Sequence, residues 1–126
     1  MSGARFQDSI GWQKAMALIV EAYRATAKFP KEEMFGLTSQ LRRASVSIAS
    51  NIAEGQGRLT TGEFVHFLGM ARSSCLEVQT QIEAAKMLGF GVPEELDKAQ
   101  EIAMEVVEIL NASIATNKPK IAHKQN

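Results

Sequence analysis

Apolar residues recur along the chain at three- and four-residue intervals and nowhere alternate with polar ones as a half-buried strand requires. Breaks at Pro30, Gly36, Gly55, Gly57, Gly89, Gly91 and Pro93 cut that periodicity into four segments, each long enough to be a helix. The first segment runs from Asp8 to Lys28, with Trp12, Ala15, Met16, Ile19 and Tyr23 as its apolar stripe and Leu18 and Ala25 off it. The second runs from Gly36 to Glu54 around a line of Leu37, Leu41, Ala44, Ile48 and Ile52. The third follows a Thr60 or Thr61 N-cap, with Glu63 spaced for a capping box, and stops at Gly89. Its stripe is Phe64, Phe67, Leu68, Ala71, Cys75, Val78, Ile82 and Ala85. The fourth opens at Pro93 under a run of acids and carries Leu96, Ala99, Ala103, Val106, Leu110 and Ile114 inward. Connections this short between long helices make neighbours antiparallel, so the expectation is an all-α, up-down-up-down four-helix bundle over residues 1–117. A flexible basic tail over 118–126 is expected to follow.

Helix two has more than one face to explain. Val46, Ala49 and Ala53 form a small apolar strip away from its core line, and Val65 and Leu76 do the same on helix three. A solvent-facing helix surface in a monomer is polar, so these residues point to an interface between copies of the chain. A third band on helix two is polar: Gln40, Arg43, Ser47, Asn51 and Glu54, then Arg58. It faces His66, Met70, Ser74, Glu77 and Gln81 on helix three. In an antiparallel hairpin Arg43 is expected to meet Glu77, with these groups satisfying one another at the seam.

The 126 residues carry 14 basic and 14 acidic side chains, and that balance hides polarity along the chain. The half up to Arg58 is net basic, the stretch from Leu59 to Thr116 is acidic, and the tail adds Lys118, Lys120 and Lys124. A basic face for an anionic partner fits this distribution, and so does attraction between copies. No apolar run is long enough for a membrane span, and a single cysteine excludes a disulfide within the chain, which suits a reducing cytoplasm.

Catalytic chemistry finds no carriers. Glu63 and His66 have the Glu-x-x-His spacing of di-iron bundles, but that site needs a second such motif and two more glutamates. Cys75 lies on a core stripe, and Gly55-Gln56-Gly57 lacks the strand and lysine of a phosphate loop. No enzyme, cofactor or metal is expected.

The run from Phe29 to Ala44, continuing through Ser47, Asn51-Ile52-Ala53-Glu54-Gly55 and Arg58, resembles the four-helix bundle family named for proteins encoded in 23S rRNA intervening sequences. Trp12-Gln13-Lys14-Ala15, Glu63-Phe64, Phe67-Leu68, Ala71, Ser74, Glu77 and Gln81 fit the same pattern, whereas Arg72 departs from it. The resemblance implies a bacterial homopentamer and a relationship to the accessory protein of diversity-generating retroelements, which is associated with nucleic acid. Two functions follow as expectations. One is a self-assembling protein that binds RNA or DNA through Lys14, Arg42, Arg43, Arg58 and Arg72. The other is an oligomeric scaffold for a protein partner, with the arginines spent on seams between helices. The resemblance tips the reading toward the first.

Overall fold

The computed structural model describes residues 5–125, with side chains described as far as Pro119. Four helices follow in order: α1 (Ile10–Thr26), α2 (Leu37–Gln56), α3 (Thr61–Leu88) and α4 (Pro93–Gln125). Short 3-10 turns at Phe6–Asp8 and Lys31–Glu33 precede α1 and α2. Each helix packs on its chain neighbours, α1 closes on α4, and the diagonal pairs stay apart. This is the expected up-down-up-down bundle. Among the described residues no helix is long and apolar enough to cross a membrane.

Local chemistry fixes the ends. Ser9 caps α1 by accepting from the Trp12 amide at 3.2 Å. Gly36 brings no capping side chain to α2, and the Glu33 carboxylate takes its place by accepting from the Leu37 amide at 3.0 Å. Thr60 caps α3 through the Glu63 amide at 3.1 Å. The Glu63 carboxylate answers through the Thr60 hydroxyl, 3.0 Å away, rather than through the Thr60 backbone amide of a standard capping box. Gly89 closes α3 in the left-handed region (φ 75°), with the Phe90 amide bonded to the Ala85 carbonyl. α4 continues beyond the Asn117 end read from the sequence and carries Pro119 inside it, at the loss of one backbone hydrogen bond. The side chains of Lys120 and Lys124 lie outside the described residues.

The core stripes of α2, α3 and α4 are those read from the sequence, but α1 is turned. Its buried line is Ala15, Leu18, Ala22 and Ala25, while Met16 and Tyr23 are exposed and Trp12 and Ile19 only partly covered. Leu18 and Ala25, placed off the stripe, are at its centre. The turn amounts to one residue, roughly 100°. Its cause is the alanine line: small side chains let α1 approach both α2 and α4 closely, and the bulkier Trp12, Met16 and Tyr23 are left to its flank. Gly55 serves the same end inside α2, since a Cβ there would lie 3.1 Å from the Phe67 Cβ on α3. It packs two helices together near the end of α2, and the helix runs on to Gln56.

Candidate functional site

The four seams of the bundle differ in chemistry. The α1–α4 seam is laced by ion pairs: Lys14 with Glu105 at 2.6 Å, Lys28 with Glu95 at 3.0 Å and Lys98 with Glu21 at 3.6 Å. The α3–α4 seam is similar, with Lys86 and Asp97 at 2.6 Å and the Arg72 Nε donating to Asn111 Oδ1 at 2.6 Å. No ion pair crosses either seam of α2 along its length among the described residues. Its outer surroundings are instead apolar on one side and polar but uncharged-paired on the other.

The apolar side lies over α1 and α2. Met16, Ala17, Val20 and Tyr23 occupy the solvent face of α1 and Ala27 follows at its C-cap, with Val20 53% and Tyr23 44% exposed. Met34 and Phe35 extend this surface through the connecting turn, and Val46, 38% exposed, continues it on α2. An open cleft of about 480 Å³ runs between Tyr23, Met34, Arg42 and Val46. The sequence reading missed the α1 portion because it assigned Met16 and Tyr23 to the core. The available signal was a second periodic line, of alanines, one residue round the helix.

Of the interface candidates on α2, Val46 is exposed and Ala53 half-buried. Ala49 is only 4% exposed within a single chain, because it belongs to the broad arc that α2 presents to its neighbours. It is a core residue and not part of an outer strip. On α3, Val65 is half-buried and Leu76 lies outward, 42% exposed, in line with Met87.

The polar side is the α2–α3 seam. The Ser47 and Ser74 hydroxyls lie 3.0 Å apart and set its register, and the Asn51 amide donates back to Ser47. Gln40, Arg43, Glu77 and Gln81 line an open groove above them, about 310 Å³ in volume. Arg43 and Glu77 share that groove, but the expected ion pair between them is absent among the described residues. The hydroxyl pair holds the helices together, and the two exposed charged side chains stay on opposite walls.

The basic candidates are not gathered into one patch. Lys14 and Arg72 are tied to opposite sides of α4, as above. Arg42 belongs to α1 and α2: its Nε donates to the Thr26 hydroxyl at 2.8 Å and its guanidinium lies over the Tyr23 ring. Arg58, at the end of the hairpin, pairs with Glu54 at 3.0 Å and stacks on Phe67 at 4.5 Å. Arg43 alone of the set has no partner among the described residues.

Glu63 and His66 do not converge on anything. Glu63 serves Thr60 and Arg58, and His66 is exposed with its ring edge against Phe67. Among the described residues no three His, Cys, Asp or Glu side chains come together as metal ligands would. Cys75 is buried, and desolvation pushes its thiol up to about 12, against a smaller lowering by Arg72. It is a packing residue and a poor nucleophile at neutral pH.

The model of the 23S rRNA-intervening sequence protein family matches residues 7–112. A solved structure from Bacteroides thetaiotaomicron, a protein of unknown function from the S23 ribosomal protein family, has the same fold with a TM-score of 0.75. The two are 18% identical, and the superposition covers 83% of this chain and 98% of that one. Among curated proteins none matches the chain.

Proposed function

The chain belongs to the 23S rRNA-intervening sequence protein family, and from that premise we propose that it is a non-enzymatic, self-assembling helical scaffold. The observation that carries this reading is the apolar surface over α1 and α2, from Met16 and Val20 through Tyr23 and Met34 to Val46. The α1–α4 and α3–α4 seams are crossed by ion pairs, whereas this apolar surface stands in water, and burial against further copies removes its apolar area from solvent. Leu76 and Met87 supply a second, different apolar line on α3. Two unlike patches suit head-to-tail contacts that close into a ring, and a ring of five copies is the assembly proposed, in keeping with the pentamer that the resemblance implies. The scaffold works in the cytoplasm, in keeping with its single buried thiol.

The arginines favour the scaffold over nucleic-acid binding. Lys14, Arg42, Arg58 and Arg72 each spend their charge or hydrogen bonds inside the chain, on different faces. Binding RNA or DNA needs those cations free and aligned along a phosphate track.

Light scattering on the intact chain is the test. The expected mass is a multiple of 13.8 kDa, five-fold for the ring, and Val20→Glu with Val46→Glu should reduce it to one copy while the helical circular dichroism stays. A single-copy mass for the unaltered protein at micromolar concentration overturns the proposal. Salt-sensitive binding to mixed RNA and DNA that weakens on Arg43→Ala would instead restore the nucleic-acid function.

A further inference from the structure

Two glycines of α3 meet no requirement inside the chain. Gly11 and Gly55 are closely packed, and a Cβ on them would lie 3.3 Å from Ile109 and 3.1 Å from Phe67. A Cβ on Gly62 or Gly69 would meet nothing within 4 Å. Gly62 sits in the first turn, but Gly69 lies well inside a 28-residue helix, where only proline is less favourable than glycine. Alanine would fit there and hold the helix better. Gly69 shares an outward arc of roughly 60° with Val65, Leu76, Thr80 and Met87. The single charged residue of α3 in that arc, Glu83, accepts from Gln100 on α4 at 2.9 Å. What remains is an uncharged ridge, with Leu76 42% and Met87 88% exposed, notched at Gly69. Bare backbone at a notch lets another helix come close.

The bundle itself carries a matching surface. α1 presents Val20 near the centre of its outward face, with the exposed Ala17 and, at its C-cap, Ala27 close by. A branched side chain among small ones fits a notch flanked by Val65 and Leu76. Charge decides which surfaces meet. α1 and α2 form one side of the bundle, and α3 and α4 form the opposite side. The chain up to Arg58 carries eight Lys and Arg against five Asp and Glu, whereas Leu59 to Thr116 carries three against nine. Either side closing on the same side of another copy brings like charges together. The α1–α2 side meeting the α3 side of another copy brings unlike charges together. Resting on the self-assembly proposed above, we infer that a second copy of the chain seats its α1 face on the α3 ridge, with Val20 at the Gly69 notch. Each copy offers one ridge and one α1 face, so the contact repeats from copy to copy.

Gly69→Gln tests this, because glutamine is a good helix former and too large for the notch. Light scattering over a dilution series should show assembly weakened by at least about tenfold, with the helical circular dichroism kept. In the Val20→Glu, Val46→Glu background, where the chain is expected as a single copy, Gly69→Gln should raise the melting temperature by about 2–4 °C, since helix propensity alone then acts. Mixing is the decisive measurement. Gly69→Gln keeps an intact α1–α2 side, and the Val20→Glu, Val46→Glu chain keeps an intact ridge. At a concentration where each alone runs as a single copy, the mixture should run as a one-to-one pair. If the unaltered chain is a single copy at micromolar concentration, the self-assembly falls and this contact with it. If the unaltered chain assembles but either variant leaves its mass unchanged, the assembly stands and this contact is wrong. Two single-copy variants that fail to pair on mixing overturn the contact in the same way.

Discussion

The Arg42 guanidinium carbon sits 4.5 Å from the centre of the Tyr23 ring while the Arg42 Nε donates to the Thr26 hydroxyl at 2.8 Å. One side chain thus ties α2 to the last turn of α1 by a cation–π contact and a hydrogen bond. Thr26 is buried, and its hydroxyl hands its own proton to the Ala22 carbonyl at 2.8 Å, so Arg42 is the donor that completes it.

Arg42→Ala should therefore lower stability by about 1–3 kcal/mol, the sum of a lost cation–π contact and a buried acceptor left short. Arg42→Lys should recover only part of it, because an ammonium cannot stack on Tyr23 and reach Thr26 in the fixed geometry of the guanidinium. Urea unfolding of the two variants checks both. A change below roughly 0.5 kcal/mol for Arg42→Ala, the usual size for surface substitutions, would mean that the contact does not hold the helices together.

Arg43, the next residue, should behave in the opposite way. Without an ion pair to Glu77, Arg43→Ala removes an exposed side chain and should shift stability by no more than about 0.5 kcal/mol. A double-mutant cycle with Glu77→Ala should give a coupling close to zero. A coupling of 1 kcal/mol or more, the range for groups in contact, would restore the pairing expected from the hairpin register.

How far the sequence could be read follows from these residues. Helix number, order and most of three core stripes were legible, because large apolar side chains at helical spacing have few other uses. The face of α1 was not, since its buried line is mostly alanine and alanine is equally at home on a surface. The same ambiguity misplaced Ala49, which a stripe-based reading puts outside and the three-dimensional packing puts inside. The Arg43–Glu77 pair failed for another reason. Register brings two helices' residues to the same level, but whether their side chains touch depends on how widely a groove opens, which the Ser47–Ser74 contact decides.

Ala49→Glu separates core from interface. In a chain that buries Ala49 by itself, a carboxylate there has neither space nor a partner, and stability should fall by about 3–5 kcal/mol whatever the state of assembly. Circular dichroism melts at low protein concentration measure this directly. A variant that keeps its melting curve and changes only its mass in light scattering would return Ala49 to an outer surface.

Cys75 gives the fold a dependence on alkaline pH. Burial holds its thiol near 12 in the folded chain, above the 9.0 of an ordinary thiol, so the folded state keeps a proton that the unfolded state releases. The stability associated with that proton is complete below pH 9.0 and declines as pH rises toward 12. The slope approaches roughly 1.4 kcal/mol per pH unit inside the window for a single group. Unfolding free energy measured at pH 8 and again at pH 10 should therefore fall by about 1 kcal/mol more in the native chain than in Cys75→Ala. The variant itself will be less stable at both pH values, because it leaves space in the core, so the comparison rests on the difference in slope. In the same range the folded chain should resist a thiol-specific disulfide reagent until it unfolds. Equal pH slopes for the two proteins, or rapid labelling of folded protein at pH 8, would show that Cys75 is not held neutral by burial.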